Sequence, residues 1–286
     1  MSSLLPRGGL QLGLGCSRLG SVNGTTGNEA RSLLNAALDE GFRFFDTSNV
    51  YAQGDSERYL GEIIGNRDDC VICSKGGKYL PLVKRALVPA KNLLRGLTRL
   101  SPGARQGVAK ARERPLPTRW DTAFLARAID DSLRRLKRDR IDVYLLHSPP
   151  AETLRRWEAV DALERAMGAG KVGRIGASVD DVAAAHAALD DRRITVLQVP
   201  LRQGDAAYAA VLARAATQNV SIVAREILGG QAAIAGTVDP ASFAETRISE
   251  LIRNPLIALP LVGTTKLMHL RSAVQFACKA MQTDKE

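Results

Sequence analysis

Cysteine is scarce in this chain. Four residues in 286 are too few for a disulfide framework, which points to a reducing compartment and makes the cytoplasm the expected location. Two of them, Cys70 and Cys73, form a C-x-x-C within the strand-like run DDCVICSKGG. Residues three apart on a strand point to opposite faces, so neither a shared metal nor a redox pair is expected there. Long apolar runs are missing as well. None approaches the roughly 20 residues of a membrane span, and the opening MSSLLPRGGL has no apolar core of a signal peptide. The glycine cluster near the start does not complete the dinucleotide fingerprint G-x-G-x-x-G either. Gly13-Leu14-Gly15 is followed by Cys16, Ser17 and Arg18, and Gly20 to Gly27 read as loop rather than helix. An open nucleotide-binding sheet is therefore disfavoured.

Acid is lacking from one stretch in particular. Tyr79 to Arg119 holds ten lysines and arginines against Glu113 alone, so +9 of the net +10 sits there. Pro81, Pro89 and Pro102 interrupt it, and leucines are scattered through it. Such a segment reads as a lid over a pocket, as a solvated surface insertion, or as a patch for nucleic acid or membrane. Charge confined to one insertion makes a nucleic-acid partner unlikely.

What is present is a rhythm. Short apolar runs (LQLGLGC, FRFFDTS, CVICSKGG, IDVYLLHSPP, VGRIGASVD, TVLQVPLRQ, SIVAREILGG, LIALPLVGTTK) alternate with helical patterns. NEARSLLNAALDEG shows the spacing, with Leu33, Leu34, Ala37 and Leu38 on one face. ETLRRWEAVDALERAMGAGK reads as one helix, and Gly41 and Gly65 read as helix C-terminal stops. Strand–helix repeats imply right-handed crossovers and a parallel sheet. Eight units in this length predict an α/β fold of the (β/α)8 type, a TIM barrel. It is read as a single domain over 1–286, with the basic insertion 79–119 after strand three.

In such a barrel the C-terminal strand ends share one mouth. Reading them in order gives Asp46 after strand two, Lys75 after strand three and His147 after strand four, with Tyr51 in the loop after strand two. Each has a bland reading: Asp46 a turn acid, Lys75 a surface lysine, His147 a core histidine, Tyr51 a packing residue. Four polar groups converging on one mouth favour chemistry instead. A tyrosine is a poor acid at neutral pH unless something favours its phenolate. A neighbouring ammonium does so, and an acid beside the ammonium holds it in place. Asp46, Lys75 and Tyr51 form such a relay, with His147 free to orient a carbonyl. That is a site for protonating a carbonyl oxygen as hydride arrives at carbon, and the hydride must come from a cofactor.

Several segments resemble the aldo-keto reductases: GFRFFDTSNVYAQGDSERYLGE (41–62), SKGG (74–77), RIDVYLLHSPP (140–150), GKVGRIGAS (170–178), QVP (198–200) and LVGTTKLMHLRSAV (261–274). The resemblance implies a barrel that reduces an aldehyde or ketone, or runs the reverse reaction, with NADPH or less often NADH. It implies the catalytic tetrad Asp46, Tyr51, Lys75 and His147. On the cofactor side it implies Ser178 and Gln198 for the nicotinamide carboxamide, although Val179 stands where asparagine is usual. Arg225 replaces the aromatic that usually stacks on the nicotinamide. Glu226, Ile227 and Leu228 would meet the pyrophosphate, and Gly263, Thr264, Thr265 and Lys266 the adenosine phosphate, with His269 where arginine is frequent. Lys266 favours NADPH. The chain ends soon after its last helix, so the long C-terminal loop of some members has no counterpart, and the basic insertion is the expected cover. A small-molecule carbonyl or alcohol is the expected partner, and no membrane is. A barrel that binds NADPH as a redox-sensing or regulatory subunit is the alternative. His186, in an alanine-rich helix, reads as surface.

Overall fold

The computed structural model describes residues 4–6, 9–22, 24–81, 115–230, 233 and 236–282. Most of the basic insertion, and with it the expected lid, lies outside these residues. Eight parallel strands close in sequence order, each pairing with its neighbours and β8 returning to β1. They are β1 (Gly13–Gly15), β2 (Phe44–Asp46), β3 (Val71–Gly76), β4 (Ile141–His147), β5 (Val172–Ser178), β6 (Val196–Pro200), β7 (Ser221–Arg225) and β8 (Leu259–Val262). Between and after them run α1 (Gly27–Asp39), α2 (Asp55–Ile63), α3 (Thr122–Leu136), α4 (Ala151–Arg155), α5 (Glu158–Gly168), α6 (Val182–Leu189), α7 (Ala209–Thr217), α8 (Pro240–Arg253) and α9 (Leu267–Gln282). Among the described residues no helix is long and apolar enough to cross a membrane.

Local chemistry sets the helix ends. Thr26 caps α1 by accepting from the Glu29 amide while Glu29 accepts from Thr26, so two otherwise unpaired amides are satisfied together. Asp121, Asp181 and Asp239 cap α3, α6 and α8 in the same sense. The α1 face buries Ala30, Leu33, Leu34, Ala37 and Leu38, as the spacing predicts. The helix expected over residues 152–171 is instead two, α4 and α5. Trp157 between them takes φ 64, which stops one helix and turns the chain into the next.

Strand alternation divides the core into two shells. Phe44, Cys73, Val143, Leu145, Val196, Val223, Leu259 and Leu261 fill the barrel. Phe45, Ile72, Tyr144, Leu146, Ile175, Ala177, Leu197, Ile222 and Ala224 point outward and pack under the helices. Cys70 belongs to the outer shell and Cys73 to the inner one, so the C-x-x-C thiols do face apart. One step beyond the inner apolar layer, the same period of two brings Asp46, Lys75, His147, Ser178, Gln198 and Arg225 to the inward positions. Register aligns them: His147 pairs with Ser178, and Ser178 with Gln198. The interior is a packed plug, and polar chemistry begins where the plug ends.

Candidate active site

The centre of the mouth is an ion pair. Lys75 Nζ donates to both Asp46 carboxylate oxygens at 2.7 Å and to the Thr47 carbonyl at 2.8 Å. Both side chains are buried, Lys75 1% and Asp46 7% exposed, so the pair is shielded from solvent screening. Burial alone would strip Lys75 of its proton, but the Asp46 carboxylate overcomes it and holds the ammonium's pKa above its ordinary value. Gln198 Nε2 adds a third anchor, donating to Asp46 Oδ1 at 2.8 Å, while Ser178 Oγ donates to Gln198 Oε1 at 2.7 Å. Ser178, Gln198, Asp46 and Lys75 thus form one hydrogen-bonded chain across β5, β6, β2 and β3.

Tyr51 opens a 3-10 turn, Tyr51–Gly54, directly after β2. The Lys75 ammonium lies 5.1 Å from its ring centroid. The expected lowering of the Tyr51 pKa is not what this surrounding yields. Burial raises it above 10.0, and the opposing Lys75 charge only moderates the rise. His147 packs edge-on against Tyr51, with centroids 5.7 Å apart at 90°. Its Nδ1 meets the Ser48 hydroxyl at 2.9 Å. Burial first, then the charges of Lys78, Lys75 and Arg225, hold its pKa well below 6.5, so the ring is neutral at pH 7. Asp46, Tyr51, His147 and Ser178 all line one cavity of about 630 Å³, which Arg225, Glu226, Ile227, Leu228, Gly263 and Thr264 also border.

Arg225 is held rather than loose. Its Nη2 donates to the Val179 carbonyl at 2.8 Å and also meets Asp180, while Nη1 pairs with Glu226. Its Nε is buried without a hydrogen-bond partner among the described residues. Val179 itself is buried under the helices, so Asp180 is the next polar side chain at the mouth. Beyond Arg225 the chain turns sharply, with Glu226 at φ 56 and Gly229 and Gly230 at φ 67 and 83. Thr264 Oγ1 accepts from the Lys266 amide at 3.1 Å at the start of α9. Thr265 and Lys266 lie outside the cavity lining, and Lys266 and His269 are exposed on the first turn. His186 is half-buried rather than surface, its carbonyl accepting from Arg214 at 3.2 Å.

Sequence reasoning passed over Ser48, Lys78, Ser148 and Asp180. Ser48 and His147 are 99 residues apart in the chain, and their contact is invisible before the barrel closes. Lys78 stood in plain view, three residues after Lys75, but nothing in KGGK shows that it turns into the cavity. No cluster of three metal-ligating side chains occurs among the described residues.

This architecture recurs among solved proteins. An aldo-keto reductase of Bacillus halodurans in its holo form matches with a TM-score of 0.72 at 20% identity, covering 93% of this chain and 86% of that one. An aldo/keto reductase of Klebsiella pneumoniae, solved with NADP and acetate, matches with a TM-score of 0.68 at 22% identity, covering 93% and 85%. In sequence, the 6-dehydroglucose reductase of Novosphingobium aromaticivorans is 30% identical over 186 residues, 60% of this chain. That match spans half the length of the relative. The model of the Aldo/keto reductase family matches residues 11–282, and the chain belongs to that family.

Proposed function

We propose that the protein is an NADPH-dependent oxidoreductase that interconverts a carbonyl compound and its alcohol, with Tyr51 as the general acid. The observation that carries this reading is the shared cavity. A protonated tyrosine and a neutral histidine pack there with their rings perpendicular, above a buried ammonium–carboxylate pair.

The residues along the mouth fit a dinucleotide. Ser178 borders the cavity with Gln198 buried behind it, Arg225 brings a planar cation and an Nε unpaired among the described residues, and Lys266 offers a charge beside a helix start. The solved Klebsiella relative carries NADP, which supports the same cofactor here. Bound at this site, the nicotinamide would supply hydride to the carbonyl carbon.

The chain's own groups handle the oxygen. In the tautomer where Nδ1 accepts from the Ser48 hydroxyl, His147 carries its hydrogen on Nε2 and donates it to the carbonyl oxygen, which fixes the oxygen's position. As the C=O π electrons move onto oxygen, Tyr51 transfers its phenolic proton there. The resulting phenolate is stabilised by the Lys75 charge and regains a proton from solvent. Asp46 keeps Lys75 charged through this cycle, and Gln198 holds Asp46 in register. Reversal gives alcohol oxidation. The reductase name of the Novosphingobium relative places sugar-derived aldehydes among the first compounds to try.

A panel of aldehydes and ketones followed at the NADPH absorbance tests the reading. Turnover of at least one member, abolished by Tyr51→Phe, is expected. NADPH binding without turnover across the panel would contradict it and favour the regulatory-subunit alternative.

A further inference from the structure

One cation in the cavity has no role in the relay. Lys78 lines the same cavity as Tyr51 and His147, two residues past the end of β3. Its ammonium donates to Ser148 Oγ at 2.7 Å, and among the described residues no carboxylate is paired with it. The nearby acids are already committed. Asp46 is bound to Lys75, Asp180 to Arg225, and Glu226 to Arg225 and Arg202. Arg18 also borders the cavity, but it is exposed, and solvent screens its charge.

The backbone presenting Lys78 is pinned from both sides. Gly77 sits at φ 107 with the Trp120 ring stacked on it, where an added Cβ would come within 2.0 Å of Trp120. The Arg119 amide donates to the Gly77 carbonyl at 2.8 Å and the Tyr79 amide to the Pro117 carbonyl at 3.0 Å. Asn49 Nδ2 donates to the Lys78 carbonyl at 3.0 Å. Opposite, Ser148 stands at φ 58 directly after His147. With its backbone pinned, its ammonium held by Ser148 and, among the described residues, two of its three protons uncommitted, Lys78 is a partly preorganised binding group.

We propose that Lys78 is a specificity residue that binds a carboxylate on the substrate, so that the preferred substrates are aldehydes or ketones carrying an acid group. The inference rests on the carbonyl-reductase reading and names its substrate class. Electrostatics agree with it: burial, then the charges of Arg225 and Lys75, lower the Lys78 pKa against Asp180, so the site lacks a negative charge that a bound anion would supply. A neutral aldehyde leaves that deficit unfilled.

The test compares succinic semialdehyde with butanal, which differ by the carboxylate. Wild type is expected to favour the acid in kcat/KM. Lys78→Gln should cut that preference about 10- to 100-fold, the scale of losing a charged partner in a half-buried site. The change should fall mainly on KM, and Lys78→Arg should restore part of it. Calorimetric binding of succinate to the NADPH-loaded protein gives a readout without turnover, and Lys78→Gln should weaken it about tenfold. Reduction of both aldehydes with the same selectivity in wild type and Lys78→Gln would overturn the Lys78 assignment while leaving the reductase reading intact. Loss of succinate binding in Lys78→Gln, with neither these aldehydes nor any member of the wider panel reduced by wild type, would uphold the carboxylate site and overturn the reductase reading.

Discussion

At the scale of single residues, the site is governed by one buried charge pair. Lys75 donates to both Asp46 oxygens and to the Thr47 carbonyl, so removing it leaves a buried carboxylate without its counter-charge. Lys75→Met should therefore lower stability by about 3–5 kcal/mol, and adding Asp46→Asn should recover much of that, because an unpaired buried charge costs more than an absent pair. Urea denaturation of the single and double variants measures both. The titrations have a sign as well. Reduction needs the Tyr51 phenol protonated, and burial puts its pKa above 10.0; His147 stays neutral down to well below 6.5. With an uncharged aldehyde, kcat/KM for reduction should be level between pH 6.5 and 10 and fall at higher pH as the phenol ionises. A rate that falls through a pKa near 6.5 would place a titrating histidine in the step. Asp46, Lys75 and His147 were legible because each stands at the end of a strand, or one residue before it, on an inward position. The direction of the Tyr51 shift was not, since sequence order announces the neighbouring ammonium but not how completely the ring is enclosed.

At the scale of elements, the barrel depends on struts that link helices to strands from outside. Glu57 on α2 is fully buried, accepting from Ser74 Oγ of β3 at 2.6 Å and from Arg135 Nε of α3 at 2.5 Å. Glu57→Ala leaves that guanidinium partly buried without its acid and should cost about 3 kcal/mol. Glu57→Gln, which can still accept, should cost less. Thermal unfolding of the two variants separates charge from shape, and equal losses would mean that packing alone holds α2. Element order was readable because apolar spacing switches between two and 3.6 along the chain. The break between α4 and α5 was not, because neither glycine nor proline marks it. Trp157, a bulky and exposed residue, stands there in the left-handed region, which nothing in its side chain announces. The Glu57 strut was hidden for a related reason: its partners lie 17 and 78 residues away.

At the scale of the whole molecule, closure in strict strand order turns a linear alternation into one mouth, and the proposed cofactor path runs along its rim from β5 to α9. Lys266 stands at the far end of that path, exposed beside His269. If it meets the 2′-phosphate, Lys266→Ala should weaken NADPH by about tenfold and NADH much less, since only NADPH carries that charge. Fluorescence titration with each nucleotide checks it, and equal losses would remove Lys266 from phosphate recognition. The eight-unit count gave the barrel away from sequence, whereas the hold on Arg225 was not readable there. Its contacts with Asp180 and the Val179 carbonyl join residues about 45 positions apart that only the closed sheet brings together.

The central claim is that Tyr51 delivers the proton. The direct measurement is turnover of a reducible carbonyl by Tyr51→Phe beside wild type, with NADPH affinity measured on the same samples. The account predicts a loss of about 10²- to 10⁴-fold in kcat with NADPH affinity nearly unchanged. A variant that retains turnover within about tenfold of wild type, below the range for general acid catalysis, would contradict it.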